Sequence, residues 1–342
     1  MTDPHQHEKY ERYEGGSAEA ERLLFEDLAR EVGALQAANQ ARARRDEPDR
    51  AFHAKTLLAV EDARLRFHDT LPPDLCAGYA QPGAAYRALV RMSSASGVHG
   101  ADAVPDLRGA TVRVLVGDDE RHDLLLLNTP ASHAANAREF VAFATVMAGA
   151  TGPLRLGWRF LVPLPRAVGR RAASRMRRTL FSATRRKVTS LATERYWSQA
   201  PVLWGDAGPV QYQLRPLAGG SGTAGVRRDD PDRLRTELAG RLRGGDVEFE
   251  LCLQRFDDER TTPVEDASVP WPEDVAPPVP VAVLTVPAQD VDTPAGREVA
   301  RRVEQLAFTP WRTTGPFRPL GNLNRSRDAA YGVSSSRRLG RP

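Results

Sequence analysis

VEFELCLQRF, residues 247–256, alternates along its length: Val247, Phe249, Leu251 and Leu253 fall on one face, Glu248, Glu250, Cys252 and Gln254 on the other. A period of two marks a strand with one face against a core. Working outward, VQYQLRPL (210–217) puts Val210, Tyr212 and Leu214 on one side and Gln211, Gln213 and Arg215 on the other. TVRVLVG (111–117) alternates and stops at Gly117, DLLLLNTP (123–130) is an apolar run ended by Pro130, and VPVAVLTVPA (279–288) is a further strand candidate. Such alternation over several strands implies an antiparallel sheet with one wet face, or a closed barrel.

Helices flank these strands. Ser17 can cap a helix over 18–44, where Leu23, Leu24, Leu28, Val32 and Leu35 recur at helical spacing until ARARRDEPDR and Pro48 end it. The polar residues 1–16 read as a disordered tail, and 17–46 as an N-terminal helical segment. A helical stretch dense in arginine occupies 151–195, a Gly/Ser loop 218–225, a Pro-rich crossing 269–281, and a helix with Val299, Val303 and Leu306 on one side 294–308. There is no internal repeat. Helices grouped at the ends and in one insertion make the class α+β.

The 342 residues suit one large domain or two ordinary ones, and 41% hydrophobic residues supply a sizeable core. A net charge of +4 and a pI near 9.3 do not by themselves call for nucleic acid. The two cysteines, Cys76 and Cys252, are far apart, which disfavours zinc and excludes a disulfide framework. The polar N-terminus does not read as a signal peptide, and no run of 18 apolar residues reads as a transmembrane segment. The expectation is a cytoplasmic protein.

Four short motifs could carry chemistry. In RDAAYGVSSSRRLG (327–340), a helix of roughly 100° per residue sets Tyr331 at about 40° and Arg338 at about 20° from Arg327, all on one face. Cations beside a tyrosine favour its phenolate, a strong donor to ferric iron. RAFHAKT (50–56) offers His53 as a base near neutral pH. VRMSSASG (90–97) sets Arg91 and Ser93 on one strand face. DLLLLNTP and AREFVAFA offer Asn128 and Phe140. Each also has a bland reading: a basic helix face, a surface histidine, an amide serving the backbone, a core aromatic.

Taken in order, the motifs resemble those of the catalase family, of the shorter catalase-related kind. The distal Arg–x–x–His–Ala–Lys is matched by Arg50 to Lys55, and Val–Arg–Phe–Ser by Val90, Arg91, Met92 and Ser93. Arg108 and Gly109, the run from Asp123 to Pro130, and Arg327, Tyr331, Arg338, Leu339 and Gly340 match later motifs. FELCLQRF (249–256) and LAFTPW (306–311) resemble the closing barrel strand and the segment before the proximal helix. The resemblance covers about 47–342 and implies an antiparallel β-barrel of the catalase type, with flanking helices and a basic helical insertion at 151–195. It also implies haem b, with Tyr331 as ligand to the ferric iron and Arg327 keeping the phenolate ionised. Arg50, Arg91 and Arg338 would pair with propionates. His53 would be the distal base, Ser93 its orienter and Phe140 the ring packed on the porphyrin, and Asn128 is carried with His53 and Ser93 as a catalytic candidate.

The sequence also departs from the family. The usual distal amide falls on Leu127 in the gapless register, with Asn128 on the second of two asparagines. Ser132 and His133 replace two phenylalanines, and Met92 and Thr56 replace an aromatic and a glycine. Nothing suggests a nicotinamide cofactor. Without a long N-terminal arm an interlocked tetramer is not expected, although a homo-oligomer is compatible. The resemblance implies action on hydrogen peroxide or an organic hydroperoxide, catalase-like or peroxidase-like, with fatty-acid hydroperoxide rearrangement as a variant. The alternative is a non-catalytic Tyr-ligated haem carrier or sensor. The arginines of 166–187 read as a solvated face or a docking face for an acidic surface; no nucleic-acid partner is expected.

Overall fold

The computed structural model describes residues 6–150, 152–217, 226–227 and 229–340. Its strands are β1 (Thr56–Phe67), β2 (Ala85–Ser94), β3 (Arg108–Leu115), β4 (Arg121–Leu127), β5 (Tyr196–Trp197), β6 (Val202–Trp204), β7 (Pro209–Pro216), β8 (Val247–Arg255), β9 (Val279–Val286) and β10 (Phe317–Pro319). Eight of them close a ring in the order β7-β5-β4-β3-β2-β1-β9-β8, shut by β8 pairing with β7; β6 and β10 extend from β7. Every pairing is antiparallel. The closed antiparallel barrel with flanking helices expected from the sequence is the fold observed.

Alternation fills the barrel. Val90 and Met92 of β2, Ala110 and Val112 of β3, Leu124 and Leu126 of β4, Tyr212 of β7 and Phe249 and Leu251 of β8 join one buried cluster. Helix α6 (Arg233–Gly244) adds Leu234, Leu238 and Leu242. The other face of β7–β8 is not wet. Gln211, Gln213 and Gln254 are buried, and Gln254 Nε2 donates to the carbonyls of Trp271 and Ala276, so the segment 257–278 covers it.

Outside the barrel lie α1 (Ala18–Ala43), α2 (Ala137–Met147), α3 (Pro153–Leu161), α4 (Pro163–Val168), α5 (Arg170–Arg185), α7 (Pro294–Glu304) and α8 (Asn322–Leu339). Ser17 caps α1 by accepting from the Ala20 N–H at 3.1 Å. The basic insertion is three helices, broken at Pro163 and at Gly169 (φ 83°), and ends at Arg185 rather than 195. Helix α7 presses Val303 on Ala59 and Leu89, a burial worth about 1.5–3 kcal/mol.

The tail expected to be disordered is ordered over 6–16; residues 1–5 lie outside the described residues, as does the Gly/Ser loop 218–225. The physical reason is charge. Glu11 is buried and, with Glu21 of α1 and Glu265, surrounds Arg325 of α8 at 2.9, 2.6 and 3.0 Å. Burial alone would lower the Arg325 pKa, but hydrogen bonds to Glu21 and Glu265 and the charges of Glu265 and Glu11 hold it above its ordinary value. This cluster fixes the start of α8 against α1.

Candidate active site

Strand register builds the floor of a cavity of about 1500 Å³ on the outside of the barrel. Across β2, β3 and β4, Ser93 pairs with Gly109 and Gly109 with Leu127; one step on, Arg91 pairs with Thr111 and Thr111 with Leu125. The intervening residues, Met92, Ala110 and Leu126, belong to the barrel core. The next outward row holds Arg113 and Asp123, joined at 2.6 Å, and Asp123 also takes Arg312 at 3.0 Å.

His53 lies over this floor. Its Nδ1 is 2.9 Å from Ser93 Oγ. A Cβ at position 109 would stand 2.7 Å from its Cε1, so the ring occupies the space that Gly109 leaves. The His53 backbone has φ +57°, a left-handed conformation uncommon away from glycine. Its N–H donates to the Ala95 carbonyl at 3.0 Å and its carbonyl accepts from Arg91 Nη2 at 2.7 Å, which clamps that conformation. Burial, then the charges of Arg91, Arg327 and Arg50, pushes its pKa down to about 3. The imidazole is therefore neutral at ordinary pH.

Helix α8 supplies the facing wall. Arg327, Tyr331, Ser334 and Arg338 recur at helical spacing and line the cavity. Arg327 Nη1 donates to Asn324 Oδ1 at 2.8 Å, one turn before the tyrosine. Ser334 Oγ accepts from the Ala51 N–H at 3.1 Å, while Gln36 of α1 donates to the carbonyls of Asp49 and Ser334. The loop bearing Arg50 and His53 is thus held between α1 and α8. Phe140 of α2 also lines the cavity, edge-on to Phe52 at 5.2 Å.

At one end three guanidinium groups meet. Arg50 Nη2 and Arg338 Nη2 both donate to the Leu306 carbonyl, at 2.9 and 2.8 Å, and both side chains reach the Glu304 carbonyl. Arg50 is paired with the Glu304 carboxylate, Arg91 stands 3.5 Å from it, and Thr56 donates to it. Burial first, then the charges of Arg91 and Arg338, holds the Arg50 pKa well below its ordinary value. Burial and Arg338 bring Arg91 to about 9. Arg338 Nε is buried without a hydrogen-bond partner among the described residues. The Glu304 carboxylate touches Arg50 and Arg91, while Arg338 meets only its backbone carbonyl; the charge of Asp49 offsets part of the downward shift at Arg50 and Arg338.

Three solved structures share this architecture. A fungal catalase superposes with a TM-score of 0.70, 20% identity and coverage of 87% of this chain and 60% of that one. The fold is that of the catalases. Catalase A of Saccharomyces cerevisiae gives 0.67 and 19%, covering 86% of this chain and 62% of that one; a bacterial catalase gives 0.65 and 19%, covering 86% and 58%. This chain spans about three fifths of the length of these catalases. Among curated proteins, a catalase-related peroxidase of Mycolicibacterium paratuberculosis is 28% identical over 306 residues, 85% of this chain and 89% of that protein. No protein-family profile matches the chain.

On this catalase frame the sequence-derived set divides. Arg50, His53, Arg91, Phe140, Arg327, Tyr331 and Arg338 line one cavity, with Ser93 beneath the His53 ring. Asn128 does not join them, against its expectation as a catalytic candidate. Parity on β4 turns Leu127 toward the cavity and Asn128 away; the Asn128 Oδ1 accepts from the Arg108 N–H at 2.8 Å and its Nδ2 donates to Glu194 at 3.0 Å. Met92 lies in the barrel core. His133 does line the cavity, tilted against Phe143 at a ring-centroid distance of 4.4 Å, with Nε2 buried and without a hydrogen-bond partner among the described residues; burial and Arg175 push its pKa down to about 4. Glu304 was missed, because helix spacing reads it as a surface residue, and so was the steric role of Gly109. An apolar-walled cavity with guanidinium groups at one end suits a ligand with an apolar body and an anionic edge.

Proposed function

We propose that the chain binds haem b and acts on hydrogen peroxide or an organic hydroperoxide as a catalase-like or peroxidase-like oxidoreductase. The observation that carries this reading is convergence: His53, Tyr331 and the arginines 50, 91 and 338, drawn from both ends of the chain, line one cavity. The cationic cluster supports it, since ligand carboxylates would pair with guanidinium groups that burial and mutual repulsion hold below their ordinary pKa. Similarity to a protein named as a catalase-related peroxidase supports the peroxide class. Tyr331 would hold the iron, Arg327 would favour its phenolate, Arg50, Arg91 and Arg338 would take the propionates, and Phe140 would wall one face. Bound there, haem supplies a redox centre able to cleave a peroxide O–O bond.

The remaining work falls to the chain. With Nδ1–H donated to Ser93 Oγ, His53 presents the Nε2 lone pair. It takes the proton of a peroxide O–H and returns it to the departing oxygen, a role worth about 10²–10⁴-fold. Its depressed pKa keeps it unprotonated, and so able to accept, down to about pH 3. One observation favours a second reading, a non-catalytic haem carrier or sensor: Leu127 stands in the cavity while the amide of Asn128 is committed elsewhere.

The test is an absorption spectrum, O2 yield and dye oxidation of the haem-loaded protein. Tyr331→Phe should lose the bound chromophore's spectrum. His53→Ala should keep it and lose about 100-fold or more in peroxide turnover. A wild-type protein with a Tyr-ligated spectrum that peroxide leaves unchanged would favour the second reading.

A further inference from the structure

The insertion α3–α5 has a face that peroxide chemistry does not use. Between Glu139 and Glu194 the chain carries eleven Arg and Lys residues and no acidic residue. Arg175 and Arg186 are neutralised by those two flanking glutamates. Arg155, Arg166, Arg170, Arg171, Arg177 and Arg178 have no acidic partner among the described residues. Beside these cations Leu154, Trp158 and Leu161, one row at i, i+4 and i+7 of α3, are 89, 58 and 64% exposed, and Phe181 of α5 is 63% exposed. Clustered large apolar side chains on a surface mark an interaction site.

The composition selects the partner. Exposed tryptophan and leucine along a helix, with unpaired arginines beside them, suit the boundary between headgroups and acyl chains of an anionic bilayer. A second copy of this chain fits poorly, because self-association through this face would set cations against cations. Nucleic acid would answer the arginines but not Leu154 and Leu161. Among the described residues no helix is long and apolar enough to cross a membrane, so contact would lie in the surface plane.

The cavity reaches the same face. Leu156, Phe160 and Leu161 of α3, with Leu180 and Phe181 of α5, line it, and Leu161 and Phe181 are also among the exposed residues. We propose that α3–α5 docks the protein on an anionic phospholipid surface, and that the cavity opens toward it to receive an apolar, lipid-derived hydroperoxide. The substrate half rests on the peroxide reading above; the docking half does not.

Full-length haem-loaded protein is sedimented with phosphatidylcholine vesicles, with or without phosphatidylglycerol, at low and high salt. Binding is expected only with phosphatidylglycerol and should weaken with salt. It should fall about tenfold or more in Arg170→Glu/Arg171→Glu and in Leu154→Ser/Trp158→Ser, all exposed positions whose change leaves the core intact. No vesicle binding, binding that both variants retain, or tighter binding to a DNA duplex than to the vesicles would overturn the docking. With a phospholipid hydroperoxide in the anionic vesicles, Leu154→Ser/Trp158→Ser should lose about tenfold in kcat/KM while its rate with H2O2 stays at wild type. Turnover of H2O2 but not of the lipid hydroperoxide would overturn the substrate half. Vesicle binding by a wild-type protein that consumes no peroxide would instead sink the peroxide reading and leave docking standing.

Discussion

Two buried arginine clusters sit at opposite ends of α8. At its start, Arg325 is met by three carboxylates, from Glu11, Glu21 and Glu265, and is held in its charged form. Toward its end, Arg338 stands beside Arg50 and Arg91, of which only the latter two touch the Glu304 carboxylate; even with the charge of Asp49 nearby, all three pKa values are depressed. The same residue type is a strut in one place and an under-neutralised cationic cluster in the other. Buried charge that is fully paired holds helices together, whereas buried charge left short of counter-ions points to something the protein binds.

Breaking the strut should have the largest effect. Arg325→Met strands two buried carboxylates, Glu11 and Glu21, and the half-buried Glu265, and should destabilise the protein by about 3–5 kcal/mol, read from the urea midpoint. Acid should strike the cavity side next. His53 has its pKa lowered from 6.5 to about 3, so the unfolded chain binds its proton first. Stability is then complete above pH 6.5 and falls as pH drops toward 3, by up to about 2 kcal/mol at pH 5. His53→Gln should flatten that part of the pH profile. Arg338→Met removes one of the mutually repelling cations, so the haem-free protein should keep its melting temperature within about 1 kcal/mol of stability while haem affinity drops about tenfold, or 1.4 kcal/mol, by titration. Glu304→Gln should be the mildest. The carboxylate is partly exposed, so the haem-free protein should lose under about 1 kcal/mol, and added haem should restore the loss. Equal losses with and without haem would erase the distinction between the clusters.

Much of the barrel was legible because β3, β7 and β8 alternate. The longest strand, β1, was not. Its first half, TLLAV, is buried on both faces, since α7 lays Val303 over Ala59 on the outside while Leu58 and Val60 join the barrel core. Alternation disappears where a helix covers the outer face. The site was legible in its motifs and not in its parity. DLLLLNTP offers Leu127 and Asn128 side by side, and only the strand register of Gly109 with Leu127 turns the leucine toward the cavity. Glu304 left no local trace, because its role arises when α7 brings its C-terminal end to Arg50 and Arg91.

The position of α8 sets an order of assembly. Every strand that closes the barrel ends by Val286, whereas Arg327, Tyr331 and Arg338 follow in the last helix of the described chain. During synthesis the barrel can shut, with His53 already tethered to its outer wall, before the residue proposed to hold the iron has left the ribosome. The proposed capture of a prosthetic group by Tyr331 would thus be a late event, and a ribosome stalled before residue 327 would display a closed barrel with only half of the proposed site.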